Sequence, residues 1–83
     1  MASTEIESWV VDTCRELGLL VEAPGDDFFA GGGNSLTAVR LIAKAEERFG
    51  EDSLMPDDLF ERSTVQEIAA TIQASRDRSR VLD

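Results

Sequence analysis

The chain has 83 residues, enough for one domain, and a domain this small buries only about 60–65% of its unfolded surface, too little for a deep enzyme cleft of its own. Its net charge is −9, from 17 acidic and 8 basic residues, which argues against nucleic acid or an anionic membrane as partner. The lack of histidine removes the usual general base and the commonest metal ligand, and a single cysteine excludes an internal disulfide.

An apolar content of 42% suits a small soluble helical protein. No apolar run approaches the roughly 20 residues of a membrane span, and the first residues are polar and acidic, unlike a secretory leader. With one cysteine this fits a reducing, cytoplasmic setting.

The first helix is predicted over residues 4–17. Thr4 and Glu7 have capping-box spacing, and Ile6, Trp9, Val10, Thr13 and Leu17 share one face at about 100° per residue. Gly18 sits where a helix stops. Cys14 falls at the margin of the apolar face, where it reads as a small core-edge hydrophobe rather than a nucleophile.

Residues 18–34 form a long connection, and long connections tend to be functional. Leu19, Leu20 and Val21 early, and Phe28 and Phe29 late, are expected to plug into the bundle around a Pro24-Gly25 turn. The connection ends Asp26-Asp27-Phe28-Phe29-Ala30-Gly31-Gly32-Gly33-Asn34-Ser35-Leu36. Two aromatics run into three glycines, and then Asn34 and Ser35, both good N-cap residues, open a helical pattern. This places a hydroxyl at a helix N-terminus with no bulk just before it. Free backbone N–H groups and the positive end of the helix dipole favour a phosphate ester there.

The second helix is predicted over 35–49, stopped by Gly50. Ala38, Leu41, Ile42, Ala45 and Phe49 make its core face. Leu36, Val39 and Ala43 form a smaller apolar strip on roughly the opposite side, beside a basic row of Arg40, Lys44 and Arg48. The helical wheel alone leaves two readings level: a docking surface, or single apolar residues exposed as such residues often are.

Pro56, followed by Asp57 and Asp58, opens a short third helix through Glu61, with Leu59 and Phe60 as its buried side. The last helix is predicted over 64–76. Its start is capped by Thr64 with Glu67, or by Ser63 with Gln66, and Val65, Ile68, Ala69 and Ile72 form its inward stripe. Residues 1–76 then make the domain, and 77–83 a tail expected to fray. The fold class is all-α: a small antiparallel four-helix bundle with a short third helix and a long loop between helices 1 and 2.

Catalytic readings fail in turn. Ser35 has no histidine partner and no strand–elbow setting, and the glycines lack the Gly-Lys-Ser/Thr ending of a phosphate-binding loop. Asp26/Asp27 and Asp57/Asp58 lack calcium-loop spacing and read as solvated caps and turn formers. What remains is a serine that is modified rather than one that catalyses. The glycines would let another protein's active site close over its hydroxyl.

Asp27-Phe28-Phe29, Gly32-Gly33-Asn34-Ser35-Leu36, the helix ending Phe49-Gly50, and Leu59-Phe60-Glu61 with Thr64-Val65 together resemble the acyl/peptidyl carrier protein family over residues 4–74. The resemblance implies a non-catalytic carrier, a phosphoprotein whose Ser35, with Gly33 and Asn34 beside it, takes 4′-phosphopantetheine from coenzyme A. A phosphopantetheinyl transferase would attach the arm. An adenylation or acyl-loading enzyme would charge its thiol as a thioester, and condensation, tailoring or thioesterase enzymes would take the cargo on.

The Gly-Gly-Asn-Ser-Leu string looks more like the peptidyl carriers of nonribosomal peptide synthesis, as in antibiotic biosynthesis, than the fatty-acid carriers. A discrete carrier for polyketide or other acyl chains, or an unmodified helical interaction module, are the alternatives. Docking is then expected on Leu36, Val39, Arg40 and Ala43, extended by Met55 and Leu59, with the protein a monomer. Two positions depart from the family pattern. Gly31 stands where a larger residue is common, which should loosen the loop, and Ser63 replaces a proline, which should cost a little rigidity. Met1 and the short tail suit either a free-standing carrier or a domain excised from a synthetase.

Overall fold

The computed structural model describes the backbone of residues 4–82 and the side chains of residues 4–77. It contains helices α1 (Thr4–Glu16), α2 (Ser35–Phe49), α3 (Pro56–Glu61) and α4 (Val65–Leu82). Among the described residues the strand-like element is one isolated antiparallel bridge between Asp27 and Thr64. The result is a small helical bundle, and no described helix is long and apolar enough to cross a membrane.

α1 ends as its sequence demands. Gly18 adopts φ 87°, its N–H donates to the Arg15 carbonyl at 3.0 Å, and the Leu19 N–H donates to the Cys14 carbonyl at 3.0 Å. This is a Schellman stop, which needs a residue at home in the left-handed region. Thr4 lies inside the helix rather than at its cap, so the expected Thr4–Glu7 capping box is displaced; the preceding position is outside the described residues. α4 opens on the capping box Thr64/Glu67: the Thr64 N–H donates to Glu67 Oε1 and the Glu67 N–H donates to Thr64 Oγ1, both at 3.2 Å. Its backbone continues as helix past residue 76 to Leu82, through part of the segment expected to fray, because no Gly or Pro interrupts it. The side chains beyond Asp77 lie outside the described residues.

α1 packs chiefly on α4, while α2 touches α3 and α4. The core gathers Ile6, Val10 and Cys14 of α1, Leu19, Val21 and Phe28 of the long loop, Ala38, Leu41 and Ala45 of α2, Leu54, Leu59 of α3, and Val65, Ile68, Ala69 and Ile72 of α4. Cys14 is fully buried rather than marginal, and burial pushes its thiol up to about 11, so it stays protonated and inert. Trp9 and Phe49 are half-buried at the rim of α1 and α2, edge to face at 4.9 Å between centroids.

Two expected core residues lie outside it. Leu20 is 85% exposed, since Leu19 and Val21 on either side of it turn inward. Phe60 is 51% exposed because it follows Leu59, and adjacent helical residues point about 100° apart, so one of them faces away. Its ring is stacked on Phe29, centroids 5.3 Å apart.

Candidate functional site

The site is built from the loop upward. Asp27 is the hub. Its Oδ2 accepts N–H bonds from Phe29 at 2.8 Å and Ala30 at 3.0 Å, and its Oδ1 accepts the Ser63 hydroxyl. The Ser63 hydroxyl above all, with the Ala30 and Phe29 N–H groups, holds this carboxyl below the usual range, against a smaller upward push from loss of solvent. Asp26 caps the turn before it, accepting from the Glu22 and Ala23 N–H groups at 2.8 and 2.9 Å, and is also held low. Both aspartates therefore act as turn formers.

The loop is tied to the start of α4 on its other side. The Phe28 N–H donates to the Ser63 carbonyl at 2.7 Å, Val65 to Asp26 at 2.9 Å and Gln66 to Pro24 at 2.9 Å. Ser63, expected to cost rigidity, supplies one of the tethers. No sequence pattern pairs residues 36 positions apart; only its hydroxyl and the neighbouring cap motif hinted at a role.

Phe28 is 1% exposed and anchors the glycines. The N–H groups of Gly31, Gly32 and Gly33 donate back to the carbonyls of Asp27, Phe29 and Phe28 at 2.9, 3.1 and 3.0 Å. A Cβ on Gly33 would collide with the Phe28 ring and lie 2.7 Å from its carbonyl oxygen; one on Gly31 would lie 2.8 Å from the Leu20 carbonyl oxygen. The Leu20 N–H in turn donates to the Gly31 carbonyl at 2.9 Å. Gly31 thus closes the loop rather than loosening it, and the glycines serve internal packing before any visiting protein.

Asn34 then caps α2. Its Oδ1 accepts the Thr37 N–H at 3.1 Å, and the Asn34 N–H donates to Thr37 Oγ1 at 2.7 Å. The reciprocal partner Thr37 was legible only as an Asn-x-x-Thr spacing. Ser35 is the first residue of α2 and is exposed. With the Gly31–Asn34 N–H groups engaged, the donors left at this helix end among the described residues are those of Ser35 and Leu36, fewer than the sequence suggested. α2 has no acidic residue in its first turn, so nothing cancels the dipole beside the hydroxyl. An exposed hydroxyl, two free N–H donors and uncancelled positive potential fit a phosphodiester on Ser35 Oγ.

Of the expected docking residues, Leu36 is 62% exposed, Val39 64% and Met55 44%, and Arg40 and Ala43 are exposed beside them. Leu59 is fully buried and offers no surface, because it is the residue of α3 that faces the core. Phe60 takes its place on the outside. In the basic row, Arg48 lies 4.0 Å from Glu5 and over the Phe49 ring.

Comparison with known proteins gives one family match: residues 11–72 match the family described as phosphopantetheine attachment site. Curated relatives include phosphinothricin tripeptide synthetase PhsC of Streptomyces viridochromogenes, 38% identical over 72% of this chain and 5% of that protein. Malformin synthetase mlfA of Aspergillus brasiliensis is 38% identical over 89% of the chain and 2% of its own length. Phenyloxazoline synthase MbtB of Mycolicibacterium paratuberculosis is 36% identical over 70% of the chain and 5% of its own. The chain thus spans a twentieth or less of the relatives it matches. No solved structure matches it significantly.

Proposed function

The chain belongs to the phosphopantetheine attachment-site family, whose prosthetic group is 4′-phosphopantetheine, and from that premise we propose that Ser35 Oγ is the attachment point. The observation that carries this is the exposed Ser35 hydroxyl at the start of α2, with unpaired N–H donors at Ser35 and Leu36 and no acid in the first turn. Once attached, the group supplies a terminal thiol that holds an acyl chain as a thioester. The chain's own residues hold the tether. Asn34 and Thr37 fix the helix start, Gly33 leaves room for the Phe28 ring, and Phe28 and Asp27 hold the loop in place.

The cargo is aminoacyl or peptidyl, within nonribosomal peptide assembly. The Gly-Gly-Asn-Ser-Leu string and the synthetase names of the relatives support this. The unit, residues 1–76, works as a monomeric, non-catalytic, cytoplasmic carrier. A phosphopantetheinyl transferase modifies it, an adenylating enzyme loads it, and condensation, tailoring or thioesterase partners unload it. They dock on the face of Leu36, Val39, Arg40, Ala43 and Met55.

Incubation with coenzyme A and a broad-specificity transferase tests the reading. The protein mass should rise by one phosphopantetheine, and Ser35→Ala should stay unchanged. Modification of Ser35→Ala would move the site elsewhere.

A further inference from the structure

We infer that the outer face of α2 selects partners whose carrier-facing surface is apolar at its centre and acidic along the margin that meets Arg40 and Lys44. This deepens the docking reading above and rests on it.

The charge pattern is the starting point. The chain carries −9 overall, yet residues 35–45 of α2 contain Arg40 and Lys44 and no acid. α1, α3 and α4 each place acids in their first turn, as the helix dipole favours, and α2 has none. A phosphate on Ser35 accounts for that first turn. It does not account for the cations, which lie about 7 and about 13 Å further along the axis at 1.5 Å per residue.

Intramolecular pairing does not account for them either. Arg48 has Glu5 at 4.0 Å and Arg62 has Asp58 at 3.7 Å, but no described carboxylate lies within ion-pair distance of Arg40 or Lys44. Both side chains are exposed, and Leu36 and Val39 stand beside them more than 60% exposed. Lys44 shares a groove with Glu16 and Glu47, which partly counter it, so Arg40 carries the larger share. The apolar strip supplies affinity to any partner. The cations supply what apolar contact lacks: they attract a carboxylate-bearing margin, fix which way round the partner sits, and repel a basic surface.

The test uses the whole chain, coenzyme A and two purified phosphopantetheinyl transferases, one with a basic and one with an acidic carrier-facing surface. The readout is kcat/KM for mass conversion. Wild type should favour the acidic-faced enzyme by about tenfold, and Arg40→Glu/Lys44→Glu should reverse the preference. Raising salt from about 50 to about 500 mM should compress both ratios towards one. Arg40→Gln/Lys44→Gln, a milder change should the reversal disturb folding, should abolish the preference without reversing it. Equal conversion of every variant by both enzymes overturns the inference and leaves Ser35 as the tether. Failure of both enzymes to modify wild type overturns the carrier reading and the inference with it.

Discussion

A methyl group at position 33 has nowhere to go. It would overlap the Phe28 ring, which is buried, and lie 2.7 Å from the Phe28 carbonyl oxygen, so loop or ring must shift. Overpacking of this kind costs about 1–3 kcal/mol. Gly33→Ala should lower stability by that amount in urea titration and slow modification of Ser35. Gly25→Ala, with nothing within 4 Å of the new carbon, should do neither. Asp27 sets a pH dependence at the same scale. Its carboxyl is held low in the fold, chiefly by the Ser63 hydroxyl, so the ionised form stabilises the protein. That contribution is present above the unfolded pKa of about 3.9 and lost as pH falls through it towards the lower folded value. Asp27→Asn should therefore be less stable than wild type at pH 6, with the gap in urea midpoint narrowing at pH 3. The need for glycine before Ser35 was legible in the string Gly31-Gly32-Gly33, but its object was not. The ring it makes room for comes from the same loop, and a one-dimensional pattern does not say which residues fold back on each other.

Helices announce their ends when the ends carry special chemistry. Gly18, Asn34, Gly50 and Pro56 marked theirs, and α1, α2 and α3 begin or stop within two residues of them. α4 has no such stop, so its end past residue 76 was not legible. Leu59 and Phe60 failed for a related reason. A helix as short as α3 has too few turns to display a period, and composition alone could not say which of two adjacent apolar residues faces in. In the connection between α2 and α3, Leu54 is 1% and Ser53 2% exposed, and Asp52 takes φ 61° in the turn before them. Ser53 Oγ has no hydrogen-bond partner there. A buried hydroxyl without a partner gives up water for nothing, at about 1–3 kcal/mol. Ser53→Ala should thus leave the unfolding free energy from urea titration unchanged or raise it, by up to about 1 kcal/mol once the lost packing is counted. A clear fall would mean that the hydroxyl has a bound water or partner.

At the scale of the whole molecule the question is where a thioester cargo can go. The interior is already occupied. Its side chains, from Ile6 and Val10 on α1 to Ile68 and Ile72 on α4, are at most 5% exposed, and Ala38, Ala45 and Ala69 let the helices close up rather than leaving a channel. The Cα radius of gyration is 11.6 Å, close to the about 11.8 Å expected for a chain of this length, so the fold is as compact as a domain of its size. Interiors at this density resist insertion of even a few methylenes. On the proposed attachment at Ser35, a cargo is therefore expected to ride outside the bundle, exposed to each partner in turn. Two-dimensional amide NMR on the apo and the loaded, modified protein checks this. Shifts should concentrate in the loop from Asp27 to Asn34 and in the first half of α2, leaving Val10, Ile68 and Ile72 where they were. Movement of those core amides on loading would mean that the bundle opens to take the cargo in, and that the packing of α1 on α4 is softer than its filled core implies.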